Sequence, residues 1–191
     1  VTVKAKVTGT GKYALSIAAA ADVMSTASVA GSFPVVGNSM SGVNVVVGQI
    51  TLDDEGTLSD VKLGDKGAVF AKFKATNTAS VEDITINQVI MKRHSDSTAS
   101  DSAVENLKLY VDGAVVASAS SITNKYVTFT LSSPVTVVKN GVKRFEVRAD
   151  SVEGAGKTLK LTFDSSSDIA AKGSYYGYQS IIDITTDWVA Q

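Results

Sequence analysis

The sequence predicts an all-β protein, an antiparallel β-sandwich with an N-terminal extension, and three observations predict it. Short runs in which apolar and polar residues alternate recur along the chain, with the two-residue period of half-buried strands. Val and Thr are abundant, and their branched Cβ suits a pleated surface better than a helix. Turn signals separate these runs about every 8–12 residues, the spacing of a sandwich or barrel. The long Leu/Glu/Lys/Ala patterns of a helical bundle are absent. So is a repeat of about 20–50 residues, which would mark a solenoid or propeller.

The elements follow in chain order. Val1, Val3, Ala5 and Val7 share one face of a strand, with Thr2, Lys4, Lys6 and Thr8 on the other. After the turn-like Gly9-Thr10-Gly11-Lys12, the odd positions Tyr13, Leu15 and Ile17 continue a half-buried strand. Residues 18–30 are rich in Ala and Ser and read as a short helix or an irregular segment. Residues 31–42, with three Gly, three Ser and Pro34, read as a loop. The apolar run from Val43 to Leu52 reads as a strand buried on both faces, and Asp53-Asp54-Glu55-Gly56 as its turn. Val69, Phe73 and their neighbours alternate with lysines, Ile84 opens a strand to Met91, and residues 94–102 form an exposed polar loop. Leu107, Leu109 and Val111 lead into Asp112-Gly113, a two-residue hairpin turn. Val127, Phe129 and Leu131 alternate with Thr; Pro134 opens another run; Asn140-Gly141 reads as a second hairpin turn into Phe145, Val147 and Ala149. Leu159, Leu161 and Phe163 alternate with polar residues, and Ile182, Ile184, Thr186 and Trp188 close the chain. The composition break divides an N-terminal strand and linker, residues 1–42, from a sandwich domain, residues 43–191.

Composition excludes several functions. The 191 residues carry 18 Lys+Arg against 19 Asp+Glu, without the basic face a nucleic-acid binder needs to neutralise phosphates. There is no Cys and a single His, so no thiol chemistry and no multi-His metal site. No apolar run of about 18 residues reads as a membrane span. No signal peptide is visible, and Val1 reads as a processed terminus with a signal or propeptide already removed. No Asn-x-Ser/Thr sequon occurs.

Residues with chemical potential each have a plainer alternative. His94 lies near Asp96 and Asp101, but no Gly-x-Ser-x-Gly elbow presents a nucleophile, and a lone His in a polar loop is usually inert. Asp53, Asp54, Glu55 and Asp60, Glu82-Asp83, and Asp164 with Asp168 read as solvated turn carboxylates; Ca²⁺ held by such loops is the alternative. Gly154-Ala155-Gly156-Lys157-Thr158 lacks phosphate-loop spacing and reads as a hairpin loop. Tyr175, Tyr176 and Tyr178, with Trp188, form an amphipathic aromatic cluster, either a subunit contact or sugar-stacking platform, or a core edge closed by aromatics. No acid–base or metal constellation emerges, so the chain reads as a non-enzyme without a cofactor.

The opening strand is the most informative feature. Burying Val1, Val3 and Val7 would be worth about 1.5–2 kcal/mol each, so this face either folds back onto its own sandwich or enters a groove on a neighbouring copy. The second arrangement is head-to-tail and builds a filament. Here a resemblance enters. Glu82-Asp83-Ile84 at a strand start, the Leu107–Gly113 hairpin and the Val137–Asp150 strand pair resemble the Ig-like β-sandwich domains of prokaryotic cell-surface proteins. The long N-terminal appendage is similar to donor-strand subunits of the camelysin-like biofilm-fibre and archaeal bundling-pilus kind. The resemblance covers less than half the chain. It implies an Ig-like or jelly-roll-type sandwich and a structural or adhesive role at the cell surface.

These readings lead to one expectation. The chain is a secreted subunit of an extracellular filament, a homopolymer without nucleic acid or membrane span. Val1, Val3, Ala5 and Val7 are the donor strand, and Val43, Val45 and Val47 flank the candidate acceptor groove. The alternative is a surface-layer, adhesin or carbohydrate-binding module that meets a surface glycan through the aromatics.

Overall fold

Apolar residues at every second position and turn residues between the runs build strands throughout the computed structural model, which describes residues 9–42, 46–79 and 81–185. The chain divides into two compact units, Val1–Val46 and Val47–Gln191.

In the first unit, β1 (Gly11–Tyr13) pairs antiparallel with β4 (Met40–Gly42), and β2 (Ser16–Ile17) pairs with β3 (Val35–Val36). The two ladders are nested, and the Gly37 N–H donates to Leu15 O at 2.8 Å between them. They form one interrupted two-stranded ribbon. The Ala/Ser segment at its far end holds a single 3-10 turn, Ala20–Asp22, closed by the Asp22 carboxylate accepting from Ala18 and Ala19 N–H. The expected loop over residues 31–42 therefore contains two short strands. The expected half-burial of Tyr13, Leu15 and Ile17 is not found: all three are exposed. Period-2 alternation sets which face a side chain takes, but a two-stranded ribbon has no second layer to cover that face.

The second unit is a β-sandwich. Its larger sheet runs in the order β14 (Ile181–Ile184), β5 (Gln49–Asp54), β6 (Ala68–Asn77), β11 (Val142–Ser151), β8 (Val104–Val111), β9 (Ala114–Ser121). The smaller sheet is centred on β7 (Ile84–Arg93), paired with β10 (Tyr126–Val137), β12 (Leu161–Thr162) and β13 (Ile169–Gly173). All pairs are antiparallel except β14 with β5. The inward residues of both sheets form one core. Phe73 on β6 stacks on Phe145 of β11 at 4.7 Å, and Phe163 meets Phe73 edge-on at 5.2 Å. Alternation locates this core: Phe73, Ala75, Ile84, Ile86, Leu107, Leu109, Phe129 and Val147 are all inaccessible.

Two local readings need correction. The run ending at Leu52 is not buried on both faces: Ile50 and Leu52 are buried, whereas Gln49, Thr51 and Asp53 are half-buried. Asp112-Gly113 is the expected hairpin turn, with φ of 48° and 85° at its two centres. Asn140-Gly141 is not one. β10 pairs with β7, while β11 pairs with β6 and β8. Positive φ occurs at Asn140 (57°) but not at Gly141, and Gly141 N–H returns to Val138 O at 2.8 Å. That is a corner carrying the chain from one sheet to the other, with the single positive φ of a type II turn. The hairpin turn the residue types conceal is Asn124-Lys125, with φ of 51° and 72°, between β9 and β10.

Candidate functional site

The best-defined surface feature of the sandwich is a tyrosine loop between β13 and β14. Gly173 N–H donates to Tyr178 O at 2.9 Å, and Gly177, at φ 72°, donates back to Gly173 O at 3.1 Å. Ser174 N–H donates to Asp83 O at 2.8 Å. Beneath the loop lies Glu82, only 2% exposed. Its Oε2 accepts the backbone N–H of Tyr175 at 2.8 Å and of Tyr176 at 3.0 Å. Its Oε1 has no hydrogen-bond partner among the described residues. Two amides converging on one buried side-chain oxygen hold the loop above it in place. Glycine at 173 leaves room for this carboxylate, because a Cβ there would force the Glu82 side chain to shift.

Glu82 is held in turn. Buried Asn77, at the end of β6, donates from Nδ2 to Glu82 O at 2.8 Å and to Val137 O at 3.2 Å. That side chain ties the larger sheet to one end of the smaller one, where the start of β7 lies beside the end of β10. On this base the three tyrosines point outward: Tyr175 is 81% exposed, Tyr176 48% and Tyr178 56%. Tyr175 and Tyr176 stand edge-to-face at 4.8 Å. The arrangement is an aromatic platform on a fixed loop, so contacts made there sacrifice little loop entropy. Of the two readings of this cluster, the core-edge one is not met. Trp188 lies outside the described residues.

A second feature is the apolar ribbon. Tyr13, Leu15, Ile17, Val23, Met24, Val35, Val36 and Met40 are all exposed, and no described residue from 9 to 42 is buried. The expected donor residues Val1, Val3, Ala5 and Val7 lie outside the described residues, as do Val43 and Val45 of the expected acceptor groove; Val47 is half-buried just ahead of β5.

The remaining candidates are occupied by the protein itself. His94 Nδ1 accepts from Asp96 N–H at 3.2 Å, while nearby Ser97 Oγ donates to Lys160 O at 3.2 Å. Asp168 Oδ2 accepts from Asp164 and Ser165 N–H, closing its own turn. Asp164 faces Lys92 at 2.8 Å and Tyr126 Oη at 3.1 Å; the lysine bond first, then the phenol, hold its carboxyl below the ordinary range. Asp53 meets Lys74, Glu55 meets Arg144, and Asp83 accepts from Lys139 N–H. Among the described residues no group of three acidic or His side chains is placed to hold a metal. Gly154 and Gly156 take φ of 93° and 70° in a turn closed by Lys157 N–H to Gly154 O.

Sequence reasoning identified the tyrosines but not Glu82, which reads as a turn carboxylate. A Glu beside a strand start gives no sign of burial; the one available signal was the pair of glycines, 173 and 177, bracketing Tyr175 and Tyr176. No protein-family model matches the chain, and no curated protein matches its sequence. Among the described residues no helix is long and apolar enough to cross a membrane.

Proposed function

We propose that this chain is a secreted structural subunit, one that polymerises into an extracellular filament by lending its N-terminal segment to the next copy. One observation carries the reading: a ribbon of short strands lined with exposed Leu, Ile, Val, Met and Tyr side chains and holding no buried residue from 9 to 42. A two-stranded ribbon is marginal in water on its own, and covering each large apolar side chain is worth about 1.5–3 kcal/mol. Exposed apolar surface on this scale marks an association face. Association through one end of a chain onto a different face of its neighbour is head-to-tail and does not close on itself unless the rotation happens to allow it. The alternating apolar residues Val1, Val3, Ala5 and Val7 extend the same segment.

Negative-stain microscopy of the purified chain tests this reading. Fibres are expected, and a chain lacking residues 1–8 should stay folded and monomeric. Fibres from the truncated chain would refute strand donation; two-dimensional arrays would favour a surface-layer tile.

A second reading rests on the tyrosine loop. A rigid, exposed aromatic platform suits stacking against the faces of sugar rings. Glycan-array binding that disappears with Tyr175→Ala or Tyr178→Ala, while the fold persists, would favour an adhesin.

A further inference from the structure

The sandwich carries an open cleft of about 750 Å³, within the roughly 300–1,000 Å³ usual for ligand sites. Its floor is apolar, formed by Val69, Phe70, Ala103 and Val104. One wall is the irregular segment after β5, Leu58 to Leu63; the other is the segment ahead of β12, Glu153 to Lys160. Both walls carry unused backbone. From Thr57 to Val61, no amide or carbonyl has a hydrogen-bond partner among the described residues. On the opposite wall, Thr158 O accepts from Thr98 and Ala99 N–H at 3.0 Å, and Lys160 O from His94 N–H at 2.9 Å. Backbone groups of successive residues in an extended segment point to opposite sides. The Leu159 N–H and C=O, unpartnered among the described residues, therefore face away from that pairing. Free backbone edging an apolar trough is the template that strand addition uses.

We propose that this cleft receives residues 1–8 of a second copy. The proposal rests on the strand-donation reading and names its receiving site; the half-buried Val47 is not among the residues that line it. The occupant follows from the chemistry of the cleft. It must be extended so that its backbone can pair with the walls, with small apolar side chains on the floor side and polar ones toward water. Val1, Val3, Ala5 and Val7 supply the first row, and Thr2, Lys4, Lys6 and Thr8 the second.

The chain contains no Cys, so introduced thiols have no competitors, and a disulfide forms only when Cβ atoms come within about 3.5–4.5 Å. Full-length chains carrying Val3→Cys or Val7→Cys are mixed with chains carrying Ser59→Cys on the cleft wall, or Ser118→Cys on the exposed edge strand β9, and oxidised mildly during assembly. The expected result is a cross-linked dimer at Ser59→Cys several-fold above that at Ser118→Cys, and a ladder of multimers when one chain carries both Val3→Cys and Ser59→Cys. Equal linking at the two sites, or preference for β9, overturns the cleft while leaving strand donation intact. A disulfide closed within single chains of the double variant places the segment in its own copy and overturns the second-copy occupant. Failure of the unmodified chain to polymerise at all removes the strand-donation reading, and this proposal with it.

Discussion

Glu82 shows how one side chain fixes a surface. Two amides of the tyrosine loop end on its Oε2, so Glu82→Ala leaves both without their acceptor and opens a void beneath them. The expected loss is roughly 2–4 kcal/mol in urea unfolding, with faster amide exchange at Tyr175 and Tyr176. Gly173→Ala forces a methyl against the same carboxylate and should cost about 1–3 kcal/mol. Lys125 is the opposite case. It holds φ 72° at the second centre of a two-residue hairpin turn, where glycine is preferred. Its backbone N–H bond to Asp101 and the bond its carbonyl accepts from Arg93 N–H survive any substitution that keeps the peptide. Lys125→Gly should therefore raise stability by about 0.5–1 kcal/mol, read as an increase in melting temperature. Asp112 gives a pH dependence. Its carboxyl is held below the ordinary value, first by Lys143 and then by the Arg144 N–H. A depressed folded-state pKa contributes stability that is complete above the unfolded-state value and lost as pH falls through the folded one. Acid unfolding below the normal carboxylate range should consequently be shallower in Asp112→Asn than in the parent.

At the scale of elements, the long strands were legible because each has one buried and one wet face. β6, β8, β10 and β11 announce themselves by alternation. What pairing they make was not legible, since alternation fixes a face and says nothing about the neighbour. Asn140-Gly141 resembles a hairpin yet turns a corner between sheets, and Asn124-Lys125 makes a hairpin turn without its glycine. β12 is only two residues long, since its partner β7 ends at Arg93, opposite Leu161. The pair β6–β11 carries the central aromatic stack, so Phe73→Ala should cost about 3–5 kcal/mol in denaturant unfolding. The tyrosine cluster was visible in sequence because Tyr repeats between glycines. The cleft was not, because its walls are irregular segments brought together only by the sheets beneath them.

At the scale of the whole molecule, a well-packed sandwich accompanies an N-terminal unit with no buried residue in its described part. Removal of residues 1–42 should thus leave the unfolding midpoint of the sandwich within a few degrees of the parent while abolishing assembly, read by calorimetry beside sedimentation. The one parallel pairing adds a mechanical consequence. β5 opens the sandwich and β14 lies beside it running the same way, bonded from Gly48 O at one end to Leu52 O at the other. A pull applied at Val47 and Thr185 in opposite directions loads this ladder in shear. Its rungs must give way together, whereas an antiparallel pair peeled from one end opens rung by rung. In a filament of the proposed kind, tension between copies would load in shear the strand pair where the sandwich begins.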